Sequence, residues 1–325
     1  MSELRCVIVT PAPPGSRAGN RNTAVRWAGI LRGLGLHVDI VTEWRDGDHD
    51  LMVALHARRS RPSLLAWRRR HPDRHGWPLV LALTGTDLYR DIRTDANAAQ
   101  SLDLADRLIV LQAAALDELT PPQQAKCRII HQSETARGPW RPPRRCTRFA
   151  VIGHLREEKD PLRAALALGE LTDLPTLRVV MAGAALTPHW RTEAATLMRA
   201  EPRFRWLGEL PHWRALKLLR ESQALVVSSR MEGGAHVVSE AIVHGVPVLA
   251  SRIPGNTGLL GADYPGYFPV GDTAALARLM RRAQGEPEFL ATLHDAVVAR
   301  QPLFAPEHEI AAWRAAIADF SGTGY

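Results

Sequence analysis

The chain has 325 residues, 46% of them hydrophobic, which is enough for one large or two medium domains with substantial cores. Its net charge of +7 comes mostly from arginine and favours anionic partners. No apolar run approaches the roughly 20 residues of a membrane-spanning helix, and no amino-terminal stretch has a signal-peptide pattern. The three cysteines, Cys6, Cys127 and Cys146, match no metal or redox motif. We therefore expect a cytoplasmic protein with reduced cysteines.

Strands and helices alternate along the whole chain, which predicts parallel sheets joined by crossover helices. In the first half, strands are predicted at residues 5–10, 37–42, 51–55, 79–83, 107–111 and 127–131. Helices are predicted there at residues 22–34, after Pro62, and at residues 91–104. In the second half, strands are predicted at residues 149–152, 177–181, 204–208, 224–227 and 246–250. The helices of that half are predicted at residues 161–171, 188–199, 213–221, 235–244, 273–284, 286–300 and 306–320.

A proline- and arginine-rich stretch that begins at Gly138 separates the two halves and is typical of a linker. We therefore expect an α/β protein with two doubly wound, Rossmann-like domains, residues 1–140 and 147–305. Residues 306–325 are expected to form a terminal helix that packs back on the first domain. Ligands of such sheets bind beyond the carboxyl ends of the strands, so a site is expected in a crevice between the domains.

Two glutamates are the most informative residues of the second half. The strand at 224–227 leads into Glu232, a Gly233-Gly234 turn, Ala235 and a helix that carries Glu240. Free amides at a helix start form an anion site, and carboxylates on both sides of it accept hydrogen bonds from hydroxyl groups. This arrangement suits a sugar nucleotide. The alternative is an acidic helix cap followed by a solvated glutamate.

The second half opens with a strand, Gly153, and then the charged residues Arg156 and Lys159. A glycine after a strand lets the backbone approach a ligand closely, and the two cations supply charge for a diphosphate. The alternative is a helix entrance with solvated charges. Downstream, a second glycine-rich turn after a strand contains Asn256.

Taken in order, these blocks resemble the GT-B glycosyltransferases of glycosyltransferase family 4. The family pattern is Gly-Arg-x4-Lys-Gly, followed by Glu-Gly-x6-Glu-Ala-x3-Gly-x-Pro-Val. In this chain Gly153 and Lys159 keep the first spacing, and the second block is complete from Glu232 to Val248. The resemblance implies the GT-B fold, in which two Rossmann-like domains face each other across a crevice.

The resemblance also implies roles for individual residues. Lys159 resembles the lysine that neutralises the donor diphosphate, Glu232 the acid that binds the donor sugar, and Glu240 the acid that binds the ribose. The implied catalytic residues are Lys159, Arg156 and Glu232. The implied donor-binding residues are Gly153, His154, Gly233, Gly234, Ala235, Glu240 and Asn256. No metal or other cofactor is expected, because helix dipoles and cations stabilise the leaving diphosphate in such enzymes.

The chain departs from the family pattern at two places. His154 replaces the arginine that follows the glycine, which leaves Arg156 as a displaced substitute. In the first half, the histidine that often precedes a small-residue–Asp stretch is missing before Thr84-Gly85-Thr86-Asp87. Asp87 then either orients the sugar or the acceptor, or caps a helix.

The loop after the first strand combines glycines, arginines, amides and a helix start, which predicts a site for a small anion. The predicted acceptor-binding residues are Gly15, Ser16, Arg17, Gly19, Asn20, Arg21, Thr23 and Asp87. The alternative is a positively charged loop around a sugar alcohol or a lipid phosphate.

Four blocks resemble the selenosugar synthase branch of the family, which belongs to selenoneine biosynthesis: Gly-Ser-Arg-x-Gly-Asn-Arg-x-Thr-Ala, Leu-Thr-Gly-Thr-Asp-Leu-Tyr, Gly-His-Leu-Arg-x-Glu-Lys-Asp-Pro and Pro-Gly-Asn-x-Gly-Leu-Leu-Gly. That branch joins UDP-N-acetylglucosamine to selenophosphate. The resemblance implies transfer of N-acetylglucosamine, or of glucose, with formation of a carbon–selenium bond. The selenium of selenophosphate is already anionic and needs no general base, and no clear base stands out in the chain.

Two other hypotheses remain open at this point. One is a family 4 enzyme that acts on a hydroxyl group of a lipid-linked or small acceptor, with the arginine-rich segment 58–74 resting on a membrane. The other is a basic nucleic-acid-binding protein that uses the same arginines. No aromatic ladder or recognition motif accompanies these arginines, so we expect no nucleic-acid partner and no stable membrane association.

Overall fold

The computed structural model describes residues 4–16, 19–73, 76–143 and 146–321. The chain forms two compact units. The first unit consists of Met1–His131 and Glu307–Tyr325, and the second of Gln132–Pro306. Each unit contains a six-stranded sheet in which neighbouring strands run parallel, with helices in the crossovers. The predicted α/β class with two doubly wound sheets is confirmed.

The sheet of the first unit has the strand order β2-β1-β3-β4-β5-β6. Its strands are β1 Arg5–Val9, β2 His37–Val41, β3 Leu51–Leu55, β4 Leu79–Ala82, β5 Arg107–Val110 and β6 Cys127–Ile129. Its helices are α1 Gly19–Gly33, α2 Arg61–Arg70, α3 Ile92–Thr94, α4 Ala96–Leu104, α5 Pro121–Ala125 and, after the second unit, α13 Pro306–Ser321.

Burial in the first unit explains why the sequences of these strands are continuous apolar runs. Every residue of β3 and β4 is buried, as expected for parallel strands covered on both faces. On one face, Trp27 of α1 packs edge-on against Trp313 of α13, with ring centroids 4.8 Å apart. The indole nitrogen of Trp27 also donates a hydrogen bond to the fully buried Glu309 at 3.1 Å. The terminal helix is therefore part of the core of the first unit.

The sheet of the second unit has the strand order β12-β11-β10-β7-β8-β9. Its strands are β7 Thr147–Ile152, β8 Leu177–Ala182, β9 Phe204–Trp206, β10 Ala224–Val227, β11 Val248–Ser251 and β12 Tyr267–Phe268. Its helices are α6 Arg163–Ala167, α7 Pro188–Ala200, α8 His212–Arg220, α9 His236–Val243, α10 Pro254–Leu260, α11 Thr273–Gly285 and α12 Pro287–Val298.

The structure differs from the local predictions in several places. The glycine-rich segment after β11 is a helix, α10, whose Pro254 occupies the first turn, where its fixed backbone angle favours a helix. The single helix predicted at residues 91–104 is divided, because Asp95 has an extended backbone and caps α4 with its side chain. A π-helical turn, Asp87–Asp91, comes before α3. The short strand β12 was not predicted.

Both arginine-rich segments make specific contacts inside their units. In the stretch after Gly138, the indole nitrogen of Trp140 donates to the carbonyl of Ser222 at 2.7 Å, so this stretch packs on the second unit. On α2, Trp67 is fully buried, and Arg68 forms an ion pair with Asp106 at 2.6 Å. Among the described residues, no helix combines the length and the apolar content that crossing a bilayer requires.

Candidate functional site

The predicted donor-binding residues gather in the second unit at the carboxyl ends of adjacent strands. β7, β10 and β11 are neighbours in the sheet, and the loops that follow them carry Gly153, Glu232 and Asn256. Parallel strands present their carboxyl ends at one edge, so these loops meet there. The sheet order thus brings together segments that are far apart along the chain.

The loop after β7 is held against the loop after β8 by a close backbone approach. A Cβ atom on Gly183 would lie 1.8 Å from the carbonyl oxygen of Gly153, so only glycine fits at position 183. His154 adds a side-chain contact, since its Nδ1 accepts a hydrogen bond from the amide of Ala184 at 3.2 Å. His154 therefore braces this loop with one ring nitrogen.

Lys159 and Glu232 form an ion pair although they are 73 residues apart in the chain. Lys159 ends a short 3₁₀ turn, Glu157–Lys159, and Glu232 lies in the loop after β10. The hydroxyl of Ser229 donates to the same carboxylate of Glu232 at 2.6 Å. The Glu232 side chain is 8% exposed and that of Lys159 is 22% exposed. A diphosphate that takes the ammonium group of Lys159 must therefore compete with Glu232 for it.

The loop of Glu232 is also fixed from the side of α10. A Cβ atom on Gly255 would lie 2.0 Å from the carbonyl oxygen of Glu232. The next residue, Asn256, is fully buried, and its Nδ2 donates to the carbonyl of Ser251 at 2.9 Å. Asn256 thus ties α10 to the end of β11, while its Oδ1 has no hydrogen-bond partner among the residues that the structure describes.

The amino terminus of α9 supplies backbone amides beside Glu232. The eight-residue helix begins at His236 after Gly233, Gly234 and Ala235, and no side chain of a described residue caps it. The first amides of a helix have no intrahelical partners, and the helix dipole is positive there. This terminus is therefore suited to an anionic group such as a phosphate.

Glu240 lies one turn further along α9 and is 6% exposed. Its Oε1 is 2.7 Å from Nε2 of His212 and 3.6 Å from Nε2 of His236. The hydrogen bond to Glu240 raises the pKa of His212 above its ordinary value, because it stabilises the protonated ring. The ring of His212 thus faces a buried carboxylate that favours its protonated form.

Two residues of this cluster had no signal in the sequence. His212 begins α8, and Glu134 lies just after the first unit, with Oε2 3.3 Å from Nε2 of His236. His236 itself precedes Glu240 by four residues, which places both on one helix face. The spacing of four residues therefore predicts that His236 lies near Glu240. No such spacing exists for His212 and Glu134, which are distant from Glu240 in the sequence.

Arg156, predicted as a catalytic residue, lies beside Glu158 and, among the described residues, does not pair with Glu232 or Glu240. Its Nε is 4.0 Å from Oε2 of Glu158, and its side chain is 43% exposed. Lys159 is thus the cation of this loop that contacts Glu232, and Arg156 remains a prediction.

The predicted acceptor loop lies in the first unit, at the start of α1. Gly19, Asn20, Arg21 and Thr23 lie in the first turns of this helix, whereas Arg17 lies outside the described residues. Within the described part of the chain, the Nη1 atom of Arg21 is buried and has no hydrogen-bond partner. Thr23 is also buried, and Gly15 and Ser16 precede the helix in a turn. A buried N–H group without a partner is costly, which makes Arg21 a candidate for binding an anion.

Asp87 is fully buried, and its carboxylate is surrounded by backbone amides. It accepts hydrogen bonds from the amides of Ala57, Thr84 and Gly85 at 3.0, 2.8 and 2.9 Å. This arrangement ties the loop after β3 to the loop after β4. Asp87 thus braces two loops, which differs from the helix cap considered as its structural alternative.

Sequence reasoning missed His56, which directly follows β3. It is 3% exposed, and its φ of 79° is a left-handed conformation that is rare for a residue with a side chain. Its Nδ1 accepts from the amide of Arg59 at 3.4 Å, and its Nε2 lies 3.3 Å from the hydroxyl of Thr86. Burial lowers the pKa of His56, so a neutral ring is favoured at the carboxyl end of this strand.

Residues 132–296 match the family model of glycosyl transferases group 1, and the chain belongs to this family. It is 29% identical over 192 residues to a glycogen synthase of Mycobacterium tuberculosis, which is 56% of this chain and 46% of that protein. It is 28% identical over 142 residues to glycosyltransferase 1 domain-containing protein 1 of Xenopus tropicalis, which is 43% of this chain and 41% of that protein. The chain thus spans less than half the length of these relatives.

Solved structures with the same fold cover nearly the whole chain. Sucrose-phosphate synthase from Thermosynechococcus elongatus aligns with a TM-score of 0.73 at 16% identity, over 99% of this chain and 100% of that one. Anabaena Alr3699/HepE in complex with UDP and glucose aligns with a TM-score of 0.73 at 15% identity and the same coverage. The architecture is therefore that of GT-B glycosyltransferases, as the sequence motifs predicted.

Proposed function

We propose that this protein is a glycosyltransferase whose donor is a UDP-sugar. The observation that carries the proposal is the cluster of Lys159, Glu232 and Glu240 around the amino terminus of α9. It combines a cation and free amides for a diphosphate with two buried carboxylates for hydroxyl groups. The structures of Anabaena Alr3699/HepE, which are similar in fold, were solved in complex with UDP-glucose and with UDP.

Each residue has a defined task in this proposal. The amides before α9 and the ammonium group of Lys159 bind the diphosphate, which gains negative charge as the glycosidic bond breaks. Glu232 accepts hydrogen bonds from the sugar hydroxyls and Glu240 from the ribose hydroxyls. Lys159 exchanges its contact with Glu232 for the diphosphate, which frees that carboxylate for the sugar. No metal ion is required for these steps.

For the acceptor we propose selenophosphate, with N-acetylglucosamine as the transferred sugar. The support is the resemblance of four sequence blocks to the selenosugar synthase branch, together with Arg21 in the first turns of α1. The partnerless Nη1 of Arg21 fits a phosphate group, which accepts charge-assisted hydrogen bonds from guanidinium groups.

The reaction balances without an added base or oxidant. A lone pair of the anionic selenium forms the bond to the anomeric carbon. The bonding pair of the carbon–oxygen bond leaves with UDP. The sugar then carries selenium at the anomeric position, and the phosphate group remains on selenium until it is hydrolysed.

The test is a reaction with UDP-N-acetylglucosamine and selenophosphate, followed by mass spectrometry and by measurement of UDP release. We expect UDP and a selenium-containing sugar. Arg17→Ala and Arg21→Ala should abolish turnover while UDP binding persists, because the donor residues lie in the second unit. Arg191→Ala on the exposed face of α7 is the matched control and should retain activity.

Other outcomes would contradict separate parts of the proposal. If the protein binds the donor but transfers the sugar only to a hydroxyl group, the acceptor is a lipid-linked or small molecule and not selenophosphate. Full activity of both arginine variants would remove Arg17 and Arg21 from the acceptor site. Absence of any UDP binding would refute the donor site itself.

A further inference from the structure

Three potential metal ligands from two parts of the second unit meet beside the proposed ribose-binding carboxylate. They are Glu134, His236 and Glu240, and one ligand atom from each lies within 4.8 Å of the other two. Nε2 of His236 is 3.3 Å from Oε2 of Glu134 and 3.6 Å from Oε1 of Glu240. Both carboxylates are buried, whereas the His236 side chain is 36% exposed and leaves an approach from solvent.

These separations are close to those between ligand atoms that bind one metal ion. In a tetrahedral zinc site with bonds of about 2.0–2.1 Å, neighbouring ligand atoms lie about 3.3 Å apart. The two separations from His236 already have this size, so mainly the two carboxylates must approach each other. His236 and Glu240 are one helical turn apart, a spacing that lets two side chains of one helix bind the same ion.

The chemical character of the ligands selects the kind of ion. One imidazole and two carboxylates form a nitrogen–oxygen set that suits Zn²⁺ better than Ca²⁺ or Mg²⁺, which prefer oxygen ligands alone. His212, which donates to Glu240 at 2.7 Å, matches the outer hydrogen-bond partner that orients a ligating carboxylate. The competing explanation is that His236 pairs with the two carboxylates without any metal.

We propose that Glu134, His236 and Glu240 bind Zn²⁺, and that the bound ion competes with the donor nucleotide. A metal-bound Glu240 cannot accept hydrogen bonds from the ribose hydroxyls in the same geometry. The competition rests on the proposed function, whereas the metal site rests on the geometry alone. Because linkage is reciprocal, UDP must weaken Zn²⁺ binding by the same factor as Zn²⁺ weakens UDP binding.

Zn²⁺ binding to the metal-free protein is measured first, by competition with a chromophoric chelator and without nucleotide. Co²⁺ serves as a spectroscopic probe, since a four- or five-coordinate site gives visible absorption that hexa-aqua Co²⁺ lacks at the same strength. We expect one site, and His236→Ala and Glu134→Gln should each weaken it at least about tenfold, because even outer partners of metal ligands contribute that much. The matched control is His189→Ala, an exposed histidine on α7 that should leave affinity and spectrum unchanged.

Competition is then measured as the affinity for UDP with and without saturating Zn²⁺. We expect Zn²⁺ to weaken UDP binding in the wild type and to lose this effect in His236→Ala. A Zn²⁺–UDP complex in solution would lower the apparent UDP affinity of the wild type and of His236→Ala equally, so that variant also controls for such a complex.

The outcomes separate the metal site from the proposed function. The site is refuted if the wild type gives no Co²⁺ spectrum, or if His236→Ala binds Zn²⁺ as the wild type does. Unchanged UDP affinity at saturating Zn²⁺ refutes the competition. Zn²⁺ binding that needs His236, in a protein that does not bind UDP without metal, would support the site and refute the donor assignment.

Discussion

Replacement of Gly255 by alanine should damage the proposed sugar-binding side of the site from a position that carries no charge. The added Cβ would lie 2.0 Å from the carbonyl oxygen and 2.9 Å from the Cβ of Glu232. Non-bonded carbon atoms pack at about 3.5–4.0 Å, so α10 or the Glu232 loop must move by roughly 1 Å or more. Overpacking of this kind costs about 1–3 kcal/mol. We therefore expect the melting temperature to fall by about 2–12 °C.

The same displacement should affect ligands unequally. Glu232 is proposed to bind the sugar, so calorimetry should show a larger loss of affinity for UDP-N-acetylglucosamine than for UDP. Gly169→Ala is the matched control, since no heavy atom lies within 4 Å of its added Cβ and the backbone angle suits alanine. That variant should be neutral or slightly stabilised. If Gly255→Ala behaves like Gly169→Ala in both assays, the close approach of α10 to Glu232 is wrong.

Four further predictions concern the charged residues. Lys159→Ala should lower kcat more than it raises KM in steady-state kinetics, because charge on the diphosphate is greatest in the transition state; a higher KM with unchanged kcat would contradict this role. Glu232→Gln should weaken binding of the UDP-sugar but spare free UDP in calorimetry, and an equal loss for both would exchange the roles of the two glutamates. Glu240→Ala should weaken UDP binding by about 1.5–3 kcal/mol, as for a lost hydrogen bond to a charged group; unchanged affinity would remove this residue from the ribose site. Glu240→Gln should lower the pKa of His212 in an NMR titration. Because that pKa is raised in the folded wild type, the resulting stabilisation is complete below about pH 6.5 and disappears as the pH rises through the folded-state pKa; a His212 pKa that does not change would refute the pairing.

Much of the fold was predictable because its signals are local. The alternation of short apolar runs with amphipathic segments indicated both doubly wound sheets, since burial on two faces requires apolar strands. The spacing of Glu232, the glycine pair and Glu240 indicated a loop, a helix start and a helix turn within nine residues of chain. Local rules also predicted the wrong state for α10, where glycines suggested a turn but Pro254 and tertiary packing favoured a helix.

The contacts that complete the site depend on the sheet order and on loop packing. Lys159 meets Glu232 because β7 and β10 are neighbours in the sheet although they are far apart in the chain. His212 reaches Glu240 from another helix, and Glu134 reaches His236 from a segment about a hundred residues earlier. Spacing along the chain fixes which side chains share an element, because helical and strand geometry repeat over a few residues. Which elements become neighbours depends on burial of the whole apolar surface, so these pairings appear only in the folded structure.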